Sequence, residues 1–200
     1  FSVNKIYQKS AGDLTLAGSK FIALQGLFAF ILFFIANGFK LSFSGYSFLI
    51  SGLLNCLAAS YTLIGFKILK SGTMAIYTLF LMSGGMVLPY IFGLIFLNEP
   101  FSVVRTFALV LLLVGVILPN FAKKDIPSKQ LVLCFAVFFI NGCVSILSKI
   151  HQIDLGYQTI NEMEFVAIGG AFKFVFSSAI YVLARRNNKN IIEHISDPLM

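Results

Sequence analysis

Six apolar runs, each about the length of a membrane crossing, occupy most of the chain: Lys20 to Leu41, Tyr46 to Lys70, Thr73 to Leu97, Ser102 to Ala122, Gln130 to Ile150 and Phe165 to Ala184. A helix needs about 20 mainly apolar residues to cross roughly 30 Å of hydrocarbon. Within lipid, only helices and closed barrels satisfy every backbone N–H and C=O. The gaps between runs are short, such as Asn98 to Pro100, so neighbouring helices must run antiparallel. The expected fold is all-α, a polytopic transmembrane helix bundle.

Composition excludes a soluble globule, because 58% of the 200 residues are hydrophobic, 12% are charged and the mean hydropathy is +0.90, whereas soluble domains average about 25% charged residues. The net charge of +7 resides mostly in the gaps between apolar runs. That pattern suits lipid headgroups rather than nucleic acid, so the lipid bilayer is an expected partner and nucleic acid is not. Cys56, Cys134 and Cys143 lie inside apolar runs without metal-ligand spacing and are expected to be small buried hydrophobes.

The chain compares with itself at an offset of 144 residues. That register pairs Lys5 with Lys149, Ile6 with Ile150, Gln8 with Gln152, Gly12 with Gly156 and Thr15 with Thr159. It continues through Phe21/Phe165, Ala23/Ala167, Gly26/Gly170, Phe28/Phe172 and Phe30/Phe174, ten identities in the first thirty positions. Shared membrane composition gives only about two or three, which makes this an internal repeat. Lys149 closes a span, so Lys5 is expected to close an equivalent span lying mostly upstream of Phe1, and each repeat then holds five spans. An odd number sends the second copy into the membrane from the opposite face, as in secondary transporters built from inverted repeats. The expectation is a fragment of a ten-span protein: residues 1–122 form most of the first repeat, 123–129 an inter-repeat loop, and 130–200 the first part of the second.

The segment GTMAIYTLFLMSGGMVLPYIFGLIFLNEPFSVVRTFALVLLLVGVIL, Gly72 to Leu118, resembles the fourth and fifth spans of EamA-type members of the drug/metabolite transporter superfamily. A small-residue, proline-containing span ends in Glu99, and the next closes on Gly115. Asn4 and Lys5 are similar to a pattern in the nucleotide-sugar and triose-phosphate branches. The resemblance implies an integral protein of the bacterial plasma (inner) membrane that moves a small-molecule substrate of the amino acid, drug or organic anion class, without a cofactor, with a homodimer as an open possibility.

Several polar residues are candidates for a substrate cavity. Lys173 is the one ionisable residue near the middle of a span; a charge there costs at least about 2.5 kcal/mol and needs a partner, a cavity or water. Gly169, Gly170, Lys173, Ser177 and Tyr181 fall at helical spacing on one stripe, which either lines a cavity for an anionic group or packs the lysine against carbonyls. Lys5 and Lys149 either snorkel to headgroups or line opposite mouths of a central cavity with Asn4, Gln8, Ser148 and Gln152. Gly84, Gly85, Pro89 and Gly93 punctuate one span and mark either close packing or a kink and hinge, with Tyr77, Ser83 and Tyr90 nearby. Asn55 and Asn141, with Gln25, Ser60 and Tyr61, either bind substrate or bond across helices. Glu99 is expected to be structural, with Arg105 as its partner. His151 and His194 lie outside the spans and carry no expected chemistry.

All eight acidic residues lie in loops or at span ends, so no mid-membrane carboxylate relay is expected. There is no catalytic pair, metal cluster or Walker A motif, and an enzyme is not expected; a polytopic membrane enzyme, or a channel or scaffold without transport activity, is the alternative. Basic residues place eleven charges on one set of loops and three on the other. The positive-inside rule puts the richer side in the cytoplasm, the opposite of what the resemblance implies, and no orientation is assigned. With the native cysteines replaced, Lys173→Cys is expected to react rapidly with a thiol reagent too polar to cross lipid. Absence of labelling from both sides, with a loop cysteine reacting normally, assigns Lys173 to packing.

Overall fold

The computed structural model describes residues 14–70, 74–117, 128–153 and 156–196. Among these, six helices follow one another: α1 (Leu14–Ala36), α2 (Gly45–Lys70), α3 (Met74–Phe96), α4 (Val103–Ile117), α5 (Ser128–Gln152) and α6 (Glu162–Ser196). Five are long and apolar enough to cross a membrane, which makes this an integral membrane protein. The expected span from Ser102 to Ala122 appears as the 15-residue α4, about 22 Å long; residues 118–122 lie outside the described part. α1 and α6 begin earlier than their apolar runs, taking residues 14–19 and the pair Glu162 and Glu164 into helix.

Local signals set the helix ends. Ser44, Ser102 and Asn161 are N-caps: their side-chain oxygens accept the amides of Ser47, Arg105 and Met163 at 3.4, 3.4 and 3.2 Å, meeting donors that lack an intrahelical partner. α1 ends where the amides of Gly38 and Phe39 donate to the carbonyls of Ile35 and Phe34, both at 3.0 Å. Gly38 takes φ +66° there, a conformation that favours glycine. Asn98, at φ 49°, turns the chain out of α3.

Packing sorts the helices into two tight pairs bridged by α2. α1 lies along α6, α3 lies along α5, and α2 touches both α5 and α6, while α4 makes a small contact with α3. Asn37, just past the end of α1, bonds to Glu164 in the first turn of α6, so α1 and α6 run antiparallel. At their crossing a Cβ on Gly26 would sit 2.7 Å from the Phe174 amide nitrogen and 2.8 Å from the Gly170 carbonyl oxygen. A Cβ on Gly170 would sit 2.7 Å from the Gly26 oxygen and 2.7 Å from the Phe30 nitrogen. The contact is reciprocal, and its members are the 144-residue partners Gly26/Gly170 and Phe30/Phe174. Two residues that touch each other in the same way from equivalent positions define a local two-fold relation, and in an antiparallel pair that axis is perpendicular to the helices.

α3 and α5 make a second close seam: Gly84 lies against the Phe138 carbonyl and Gly142 against Leu88. Beside it, Ile68, Leu69, Ile76, Tyr77, Cys134 and Val137 form the hydrophobic core shared by α2, α3 and α5. The expectation for the cysteines holds in full only for Cys134, since Cys56 is half-buried and Cys143 is exposed. Phe28, Phe43, Phe107 and Val175 are among the apolar side chains on the outer surface, where lipid would cover them. Replacing Gly26 or Gly170 by Ala is expected to lower stability by roughly 1–3 kcal/mol through overpacking. The double variant should cost less than the sum, because one separation of α1 from α6 relieves both clashes; thermal unfolding in lipid nanodiscs measures this, with Gly115→Ala, which meets open space, as the neutral control.

Candidate functional site

A cavity of about 360 Å³ lies between α2, α5 and α6, lined by Leu54, Asn55, Ser148, His151, Gln152, Glu162, Phe165 and Val166. It sits toward the face where α2 and α6 begin and α5 ends. Asn55 is ten residues into α2, so the lining reaches about 15 Å along that helix. Its polar character is notable in a bundle whose other described cavity, between Phe30, Phe48 and Phe172 on α1, α2 and α6, is wholly apolar.

The walls of the polar cavity are fixed by bonds between helices. Ser51 donates to the Phe165 carbonyl at 3.0 Å, joining α2 to α6. One turn on, Gly169 leaves room for the Asn55 amide, which donates to the Ser51 carbonyl at 2.9 Å and keeps its oxygen as an acceptor. His151 is 7% exposed; its Nε2 is 3.0 Å from the Ser47 hydroxyl, which also accepts the Ile160 amide at 3.2 Å. The imidazole stacks on Phe165 with ring centres 3.8 Å apart, and Tyr46 and Tyr157 continue the stack outward. Behind this wall Glu164, only 5% exposed, accepts from the Asn37 side chain and from the Ser42 amide and hydroxyl at 3.0, 3.2 and 3.3 Å. Those bonds satisfy a carboxylate that would be costly to bury unpaired, and they tie the α1–α2 turn to α6.

Of the expected cavity residues, Gln152 lines this space, as do Ser148 and Asn55. His151, expected to carry no chemistry, lines it too; its sequence position just past an apolar run concealed that α5 continues to Gln152. Lys149 occupies the same helical turn but points elsewhere. Its Nζ forms an ion pair with Glu99 at 2.8 Å and donates to the Pro89 carbonyl at 3.2 Å, and it is not among the residues that line this cavity. Gly93 makes space for both partners. Glu99 therefore pairs with Lys149 rather than with the expected Arg105, which is exposed.

The other candidates are dispersed. Asn141 donates to the Leu81 carbonyl at 2.7 Å, with Gly85 giving it room. Gly84 and Gly85 thus serve close approach of α3 to α5, and helix α3 continues through Pro89. Tyr77 is 5% exposed in the core and packs on Gly65. Tyr90 bonds to the Thr106 hydroxyl, holding α4 on α3. Ser60 and Ser83 bond to carbonyls one turn back in their own helices. At about 100° per residue, Lys173 falls between the arc of α6 that faces α1, at Gly170 and Phe174, and the arc that faces α2, at Gly169 and Phe172. It is half-buried and forms no ion pair among the described residues. Ser177, one turn on, is fully buried and its hydroxyl has no partner among the described residues. Asn4, Lys5 and Gln8 lie outside the described residues, and nothing of the His194 side chain is described.

No family model, curated protein or solved structure matches the chain, so the site is read from its own geometry. A double-mutant cycle with Glu99→Gln and Lys149→Met should give a coupling of about 1 kcal/mol in thermal unfolding, above the usual exposed pair, because the two side chains are 24% and 31% exposed and the lysine has a second acceptor. Additivity within error would show that the pair contributes nothing.

Proposed function

We propose that the protein is a secondary transporter of small metabolites, of the amino acid, drug or organic anion class, built from two inverted five-helix repeats, ten spans in all. In this reading it belongs among the EamA-type drug/metabolite transporters of a bacterial plasma membrane, works without a cofactor and is not an enzyme. The observation that carries the reading is the cavity with polar side chains in its wall: α2, from the first repeat of the 144-residue register, and α5 and α6, from the second, jointly line it. Alternating access needs a site between the repeats, and the lining here runs from the face where α5 ends to about 15 Å along α2. The antiparallel, reciprocal seam of α1 and α6 supports the inverted relation, since the partners of that register approach each other as equals.

Alternating access requires one repeat to rock against the other. Lys149–Glu99 and Glu164–Asn37 each join the two repeats, and they are the contacts such a motion would have to keep or break. The test is counterflow into proteoliposomes holding the full chain, preloaded in turn with amino acids and with organic anions. Saturable accumulation of labelled solute is expected, and Asn55→Phe, which fills the cavity, should reduce it at least about tenfold, the loss expected when a positioned polar group is replaced by bulk. A flux linear in concentration, with ohmic current in planar bilayers, would replace the transporter reading with a channel.

A further inference from the structure

We infer that the cavity between α2, α5 and α6 binds a compact solute carrying a protonated amine. The inference deepens the transport reading and rests on it for the consequence of binding. It follows from which charges reach the cavity and which are held away from it.

Glu162 is the one charged side chain among the lining residues, and no lysine or arginine joins it. The nearest basic residue in the α5 sequence, Lys149, lies between the lining residues Ser148 and His151, yet its charge is directed onto Glu99 and the Pro89 carbonyl. The helix ends add to the same bias. His151 and Gln152 lie in the last turn of α5 and Ser148 just before it, where the helix end carries partial negative charge. The opposing positive end of α6 is already met by the Asn161 cap and by acidic residues at Glu162 and Glu164 in its first turn. An anion entering here would face a carboxylate and a helix C-terminus with no compensating cation in the wall.

The remaining lining fits the rest of such a solute. The Asn55 oxygen, the Ser148 hydroxyl and the Gln152 amide supply hydrogen-bond acceptors for an ammonium. The Phe165 ring, braced on one side by His151, adds an aromatic wall of the kind that favours cations. Leu54 and Val166 provide apolar surface. A volume of about 360 Å³ lies at the small end of ligand sites, which sets a compact skeleton.

The test uses three probes of one skeleton: phenethylamine, 2-phenylethanol and phenylacetate. Each is titrated calorimetrically against the full chain in lipid nanodiscs, with empty nanodiscs subtracted. Phenethylamine is expected to bind at least about tenfold more tightly than the other two, and Glu162→Gln to remove most of that advantage. Gln152→Glu, which adds a carboxylate to the lining, should raise amine affinity, so the inference does not depend on a variant that loses function. Lys173→Met should leave the preference in place. Equal or tighter binding of phenylacetate, an unchanged preference in both Glu162→Gln and Gln152→Glu, or no saturable binding of phenethylamine up to about 10 mM would overturn it. Counterflow separates the two readings: amine binding without any counterflow sinks transport and keeps the charge preference, whereas phenylacetate counterflow without amine binding does the reverse.

Discussion

Lipid gives helices no hydrophobic reason to prefer each other over acyl chains, so their association depends on how closely backbones can approach. In this chain that approach is made by glycine. Gly26 and Gly170 bring α1 onto α6, Gly84 and Gly142 bring α3 onto α5, and Gly52 and Gly65 admit the rings of Phe172 and Tyr77 against α2. These contacts set the distances on which the polar bonds between helices rely. Without Gly169 the Asn55 amide would have no room, and without Gly85 Asn141 could not reach the Leu81 carbonyl.

The polar side chains then divide by whether the seams satisfy them. Ser19, Ser60 and Thr62 return to carbonyls of their own helices, while Ser51, Asn141 and Lys149 bond to carbonyls of a neighbour. Where neither arrangement is complete, a cavity forms. Its walls are held by Ser47, Ser51 and Glu164, most of whose hydrogen-bonding capacity is used behind the lining, which leaves Asn55, Ser148, Gln152 and Glu162 to face the space. A site whose supporting residues are already bonded keeps its geometry when empty, which favours binding without a large ordering cost.

Much of the fold was legible in the sequence because span length is a direct consequence of bilayer thickness. Five of the six apolar runs became long apolar helices, and the short gaps placed consecutive helices antiparallel. The candidate site was less legible. Gln152, Ser148 and Asn55 stand out in the sequence as polar groups at span ends or inside a span, and Lys149 falls beside them although its side chain turns to α3. Two residues on one helical turn point in different directions, and which neighbour each meets depends on helix rotation, which hydropathy does not encode. Hydropathy likewise places His151 outside the span, because the apolar run ends before the helix does. Glu99 finds its partner on α5, fifty residues away, rather than in the nearby Arg105. Ion pairs between helices depend on which helices are neighbours, and α3 and α5 became neighbours through glycines whose pairing no local pattern reveals.

The reciprocal contact of α1 and α6 also bears on how such a chain can change over time. Five of the ten identities in the 144-residue register fall between Phe21 and Phe30, the stretch of α1 that contains the crossing point. There, each of the two segments is the packing surface for the other. A larger side chain at Gly26 presses on Phe174 and Gly170, and the same change at Gly170 presses on Phe30 and Gly26. Side chains turned away from the seam escape that limit, as the pairing of Ala29 with Lys173 in the same register illustrates. At the seam neither can move far alone, so a change tolerated in one segment is limited by the backbone of the other.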